Sequence, residues 1–137
     1  MGHTAFLSDC GRFVGCRVHD DITIERARQF TQDTVDLGKR HQITRFLYDA
    51  RGVRNIETVF RNYQFANEDM ARLNVDRAGT FAVVTDPDDR SHDFVETAIR
   101  NAGYDVRMFS DHDAALCWLL TRGRPTLGAR APIRAST

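Results

Sequence analysis

The chain has 137 residues, enough for one domain whose core needs no disulfide or metal staple. Formal net charge is zero, which argues against a dedicated nucleic-acid binder, since such a protein carries a basic face. Lys39 is the only lysine, so a phosphate-loop or Schiff-base lysine has almost no room in the inventory. No apolar run is long enough to span a bilayer, and no secretory leader pattern opens the chain. Cys10, Cys16 and Cys117 form no CxxC pair and read as free thiols of a reducing cytosol. A cytoplasmic location is the expectation.

"TAFLSDCGRFVGCRV" holds two short apolar runs around turn formers and predicts a β-hairpin over about 4–8 and 12–18. Thr23 then caps a helix, with Glu25 in its first turn and Ala27, Phe30, Thr34 and Leu37 at helical spacing. Gly38 is expected to close it. "RFLYDARG" reads as a strand ending at Asp49, followed by a loop. Asn55 is expected to cap the next helix. There Ile56, Val59, Tyr63, Ala66, Met70 and Leu73 recur in steps of three and four, the clearest periodicity in the chain, and predict the buried stripe. Phe65 lies nearly opposite that stripe.

"TFAVV" is a continuous apolar run, as in a strand covered on both faces. A helix with Phe94, Val95, Ala98, Ile99 and Ala102 follows and stops at Gly103. "YDVRMFSD" is the last strand, and Asp111 caps a final helix reaching about Leu120. Residues 124–137 carry Arg124, Arg130 and Arg134 and no acid, so a total of zero leaves −3 on the rest. The domain is expected to occupy residues 1–122, with a disordered basic tail over 123–137. The predicted order is β-β-α-β-α-β-α-β-α: an α/β fold with a mostly parallel sheet behind an N-terminal hairpin.

Two loops at the carboxyl ends of strands, where α/β sheets bind ligands, carry the unusual chemistry. One is "DARGVRN", with Asp49, Arg51 and Arg54. The other is "DPDDRSHD", with Asp86, Asp88, Asp89, His92 and Asp93. The arginines beside a helix start suit a carboxylate or phosphate. Their plainer role is to pair with Asp86 or Asp89 across the two loops. The acids fit neither an EF-hand nor a zinc site, and serve more simply as caps and favourable charge at a helix N-terminus. No metal or cofactor is expected. Ser91-His92-Asp93 is no triad, because consecutive side chains cannot line up as a relay. A phospho-receiver arrangement lacks a β-α step between Asp20/Asp21 and Asp49, and lacks the lysine after the last strand.

"VRMFSDHDAALCWLL", "NYQFANEDM" and "SHDFVETAIRNAGYDVRMF" together resemble the SpoIIAA-like branch of the STAS superfamily over about residues 5–120. The resemblance implies a STAS-like fold with Phe109, Ala115, Leu116, Trp118 and Leu119 in the core. It also implies a protein-interaction or regulatory module of bacterial type, or a carrier for an apolar or anionic small ligand. Antagonists of this superfamily carry a phosphorylatable serine before the second main helix. The matching loop here, "YDARGVRN" (48–55), has no serine or threonine, so that switch does not transfer. Phe60, Tyr63 and Phe65 are the candidate interaction surface, for a second copy or another protein. A pocket of several hundred cubic ångströms under the helices would instead mark a carrier. An enzyme is the least supported class.

Overall fold

A computed structural model describes residues 2–122, so the basic tail lies outside the described residues. Five strands form one sheet in the order β1-β2-β3-β4-β5: His3–Leu7, Val14–Val18, Arg45–Asp49, Thr80–Val84 and Asp105–Phe109. β1 and β2 pair antiparallel, as the hairpin predicts, and the remaining pairs are parallel. Each parallel step moves the same way across the sheet. Right-handed crossovers therefore place α1 (Ile24–His41), α2 (Val59–Gln64) and α4 (Asp93–Asn101) on one face. Between α2 and α4, the helix continues through a π-helical segment (Phe65–Asp69) and a short last turn, α3 (Met70–Arg72). α5 (His112–Thr121) covers β3–β5 from the other side.

Alternation along the strands divides the core accordingly. Val14, Cys16, Phe46, Tyr48, Phe81 and Val106 meet α1, Phe65 and Met70 on the first face. Leu47, Ala82 and Val84 meet Ala115 and Leu119 on the second, with Phe109, Leu116 and Trp118 packed alongside. Among the described residues, no helix lies over the α5 face of β1 and β2, and there the ring of Phe6 lies across Gly15. A Cβ at Gly15 would sit 2.2 Å from that ring.

Local signals held at some helix ends and failed at others. Thr23 caps α1 and accepts from Arg26 N, and Asp111 caps α5 and accepts from Ala114 N. α1, however, runs through Gly38 and ends at Gln42, which takes the left-handed conformation (φ 59°). Gly38 serves packing instead: a Cβ there would lie 2.8 Å from both the Ile43 carbonyl and the Phe46 ring. Thr58, not Asn55, caps α2. Gly103 does stop α4, at φ +101°.

The largest correction concerns the apolar stripe. Ile56, Val59 and Tyr63 face outward, 56%, 62% and 55% exposed, whereas Phe65 is buried at 6%. The π segment explains the inversion. Met70 N donates to Phe65 O, an i to i−5 bond, so one extra residue enters the turn and rotates the buried face by about 100°. Upstream, Asn62 points inward; within and after the turn, Phe65, Ala66, Asp69 and Met70 do. Two of these are polar and are individually satisfied. Asn62 and Asn55 join through their amides (Asn55 Nδ2 to Asn62 Oδ1, 3.0 Å), and Asp69 Oδ2 receives Arg28 Nε at 3.1 Å.

Candidate functional site

The two strand-end loops do meet, as their positions after β3 and β4 require. Asp49 ends β3. Arg51 folds back on it with two parallel bonds, Nε to Oδ1 at 2.9 Å and Nη2 to Oδ2 at 2.7 Å, and adds its backbone N–H at 3.1 Å. Those bonds from Arg51 hold the Asp49 carboxyl below the usual carboxylate range despite its partial burial. Asp86 crosses to accept from Gly52 N at 2.7 Å. Arg54 pairs with Asp89 at 3.3 Å, and its backbone N–H donates to Asp21 Oδ1 at 2.9 Å.

Asp89 is the hub of the second loop. Burial by itself would raise its carboxyl, but bonds from Ser91 and the neighbouring His92 and Arg54 lower it on balance. His92 is buried, with Nε2 3.3 Å from the Val53 carbonyl and 3.4 Å from Asp89 Oδ2. Ser91 Oγ receives Asn55 N at 3.0 Å. The expected capping is therefore corrected: His92 occupies the N-cap of α4 without a side-chain bond, while Asp86, Asp89 and Ser91 tie the two loops or close the turn; the expected acidic charge in the first turn is there, on Asp93. Asp88 faces solvent.

Both arginines at this corner are committed to carboxylates, and an incoming anion would meet Asp49, Asp86, Asp88 and Asp89. The geometry thus offers no cationic cradle for a phosphate. Among the described residues, no three His, Cys, Asp or Glu side chains are grouped to hold a metal ion.

Two other features are open to function. The first is a cavity of about 100 Å³ between the sheet and α1, α2 and α4, its apolar wall including Phe30, Phe65, Phe81, Ile99 and Met108. Asn55, Asn62 and His92 bring polar groups to its lining. The second is the outer face of α2. Val59, Phe60, at 69% exposed, and Tyr63 stand on it, Ile56 is exposed in the segment just before it, and Phe94 is exposed on the adjoining helix α4. Arg61 beside it is neutralised by Glu25 (2.7 Å) and Glu57 (3.4 Å). Of the three aromatic residues expected at a surface, Phe60 and Tyr63 are there and Phe65 is not. The Asn55–Asn62 pair and the Arg28–Asp69 bond carry no short-range sequence signal, since their partners are 7 and 41 positions apart.

The model of the SpoIIAA-like family matches residues 13–120, most of the chain. The chain belongs to the SpoIIAA-like family. The mixed sheet with its antiparallel leading hairpin, three crossover helical segments and a final helix is the STAS-type arrangement expected of a SpoIIAA-like domain. No curated protein matches this SpoIIAA-like chain closely enough to name a relative. No helix among the described residues is long and apolar enough to cross a membrane.

Proposed function

We propose that this SpoIIAA-like domain is a non-enzymatic protein-interaction module that docks another protein on the outer face of α2. The observation that carries this reading is the set Val59, Phe60 and Tyr63 on α2, with Ile56 in the segment just before it: four large apolar side chains, all more than half exposed. Leaving such a face in water forgoes roughly 1.5–3 kcal/mol per large side chain that burial would recover. The charges beside it are paired within the chain, so the partner is selected by an apolar helix or groove rather than by opposite charge. Regulation by a phosphorylated serine in loop 48–55 has no acceptor residue there.

A photo-crosslinking residue at Phe60, compared with one at the exposed Asp113 on α5, tests the reading in the host cell. One protein crosslinked at position 60 only, forming a stoichiometric complex from purified components that Val59→Glu abolishes, supports it. Crosslinks to lipid alone, or a complex indifferent to Val59→Glu, would refute it.

A carrier role is the second reading, supported by the apolar lining of the cavity, although the cavity is smaller than the several hundred cubic ångströms expected of a carrier. Its volume of about 100 Å³ lies below the range of drug-sized sites, so a small ring or short aliphatic segment is what it admits. Native mass spectrometry of protein purified from its host would show such a ligand as a discrete mass increment, and a bare mass would count against the carrier.

A further inference from the structure

The two edges of the sheet are built differently. Phe109 O on β5 accepts from Thr85 N at 2.8 Å, so alternate residues of β5 bond inward and Val106 and Met108 turn their backbone groups out. That edge is occupied. Glu96 accepts from Met108 N at 3.0 Å, and Arg100 reaches the Val106 carbonyl at 3.3 Å. The two side chains also pair with each other at 2.7 Å, one turn apart on α4. An edge covered in this way cannot serve as a template for another strand.

Among the described residues, β1 has no comparable cover. Ser8 N donates to Phe13 O, and Gly2 O accepts from His19 N, which places residues 2, 4, 6 and 8 on the β2 side of the ladder. His3, Ala5 and Leu7 therefore direct their N–H and C=O groups away from the sheet. Thr4 to Leu7 contain no charge and no proline, the usual guards of a bare edge. Phe6 and Leu7 stand 45% and 37% exposed beside it.

We propose that β1 pairs antiparallel with β1 of a second copy of this chain, about a two-fold axis at Ala5. His3 then opposes Leu7, Ala5 opposes Ala5, and Leu7 opposes His3. Each of the three pairs exchanges two bonds, so all six outward groups are satisfied and two five-stranded sheets join into one. Ala5 at the axis presents only a methyl group. Phe6 of each copy gains Thr4 of the other as its cross-strand neighbour on the face that α5 leaves uncovered.

Charge on α1 selects a second copy rather than an arbitrary strand. α1 lies over β1 and β2 and runs in the direction of β1, in a register fixed by His3 Nε2 to Asp33 Oδ2 at 2.6 Å. Its exposed surface is acidic in the middle (Asp33, Asp36) and basic at the end (Lys39, Arg40, His41). The two-fold axis sets the two α1 helices antiparallel and about 10 Å apart, within helix-packing distance. The acidic middle of each then faces the basic end of the other. This interface is independent of the outer face of α2.

The test uses full-length protein with an untagged N-terminus, in sedimentation velocity and amide exchange by NMR. A dimer at about 100 µM is expected, with the His3, Ala5 and Leu7 amides protected and losing protection on dilution. Leu7→Lys should weaken self-association at least tenfold while the unfolding midpoint of the monomer stays unchanged. Ala5→Pro, which removes one outward N–H, is the second variant should Leu7→Lys misfold. Phe60→Glu should leave the dimer intact. A monomer at about 100 µM, a dimer whose three amides exchange freely, or a dimer dissolved by Phe60→Glu would each overturn the proposal.

Discussion

Replacing Phe65 and Phe60 by alanine, one at a time, measures the inversion of the α2 face directly. Phe65 is 6% exposed and packs among Ile24, Ala27 and Met70, whereas Phe60 is 69% exposed. A buried Phe→Ala change costs about 3–5 kcal/mol, and the cavity already bordering Phe65 places it at the lower end, about 3 kcal/mol. For a chain of this size that loss lowers the thermal midpoint by roughly 10 °C. Phe60→Ala forfeits little native packing and should stay within about 0.5 kcal/mol. Urea unfolding followed by far-UV circular dichroism reads both, with the slope checked for constancy. Equal losses, or a larger loss at Phe60, would show that Ile56, Val59 and Tyr63 face the core and that the π-helical turn is wrongly placed. Should Phe65→Ala prove too unstable to purify, Phe65→Leu should still lose more stability than Phe60→Leu.

Thiol labelling at pH 8 should modify Cys10 and Cys117 in the native protein and leave Cys16 protected until unfolding, because burial pushes the Cys16 thiol up to about 12. Cys10 should react faster than Cys117 as pH falls, since its bond with Ser8 lowers its thiol; equal rates would discount that bond. Acid should unfold the protein partly through Asp49 and Asp89. Their folded values lie below the unfolded one, near 3.9, so their stabilisation is full well above that pH and drains as pH falls through it toward the folded values. Asp49→Asn should therefore flatten the acid limb of a stability–pH curve, and an unaltered limb would contradict the Arg51 pairing. Gly38→Ala should destabilise by about 1–3 kcal/mol, although alanine is favoured by up to about 1 kcal/mol inside a helix, because the added methyl meets backbone at 2.8 Å. A stabilised Gly38→Ala variant would mean that the α1–β3 packing is looser than described.

Strands and crossovers were legible in the sequence because their signals are local and redundant. "TFAVV" needed only its unbroken apolar run, and Thr23 and Asp111 needed only their place before a periodic segment. The hairpin and the order of elements followed from the same logic, whereas the core role of Ala115 and Leu119 was implied by the family resemblance. α2 was misread because two registers compete there. The regular three-and-four spacing of Ile56, Val59 and Tyr63 is the better hydrophobic pattern. The structure instead buries Asn62, Phe65 and Asp69, which works only because Asn55 and Arg28 supply partners from elsewhere in the chain. Periodicity scores a polar residue as outward and cannot weigh a long-range partner. Nor does it anticipate the extra residue of a π turn, which changes phase partway along one helix.

The same reasoning settles the acidic corner. Six aspartates lie on or beside two adjacent loops, and from sequence alone that density reads as chemistry. Counting bonds reverses the impression. Asp49 serves Arg51, Asp86 serves Gly52 N, Asp21 serves Arg54 N, Asp89 serves Arg54 and Ser91, and Asp93 serves Arg90, which leaves Asp88 without a bond and facing solvent. Three of these bonds end on backbone N–H groups of loop residues that would otherwise lack partners in a half-buried turn, so the acids replace a missing ladder. An exposed ion pair such as Arg51–Asp49 adds little by itself, about 0–1 kcal/mol. Its effect is to fix where loop 50–58 runs, and that loop delivers Thr58 to the start of α2 and Asn55 to Asn62. Under the proposed function the corner acts at a distance: it holds α2 with Asn62 inward and Phe60 outward. Disrupting it would disturb the docking face before it disturbed any binding at the corner.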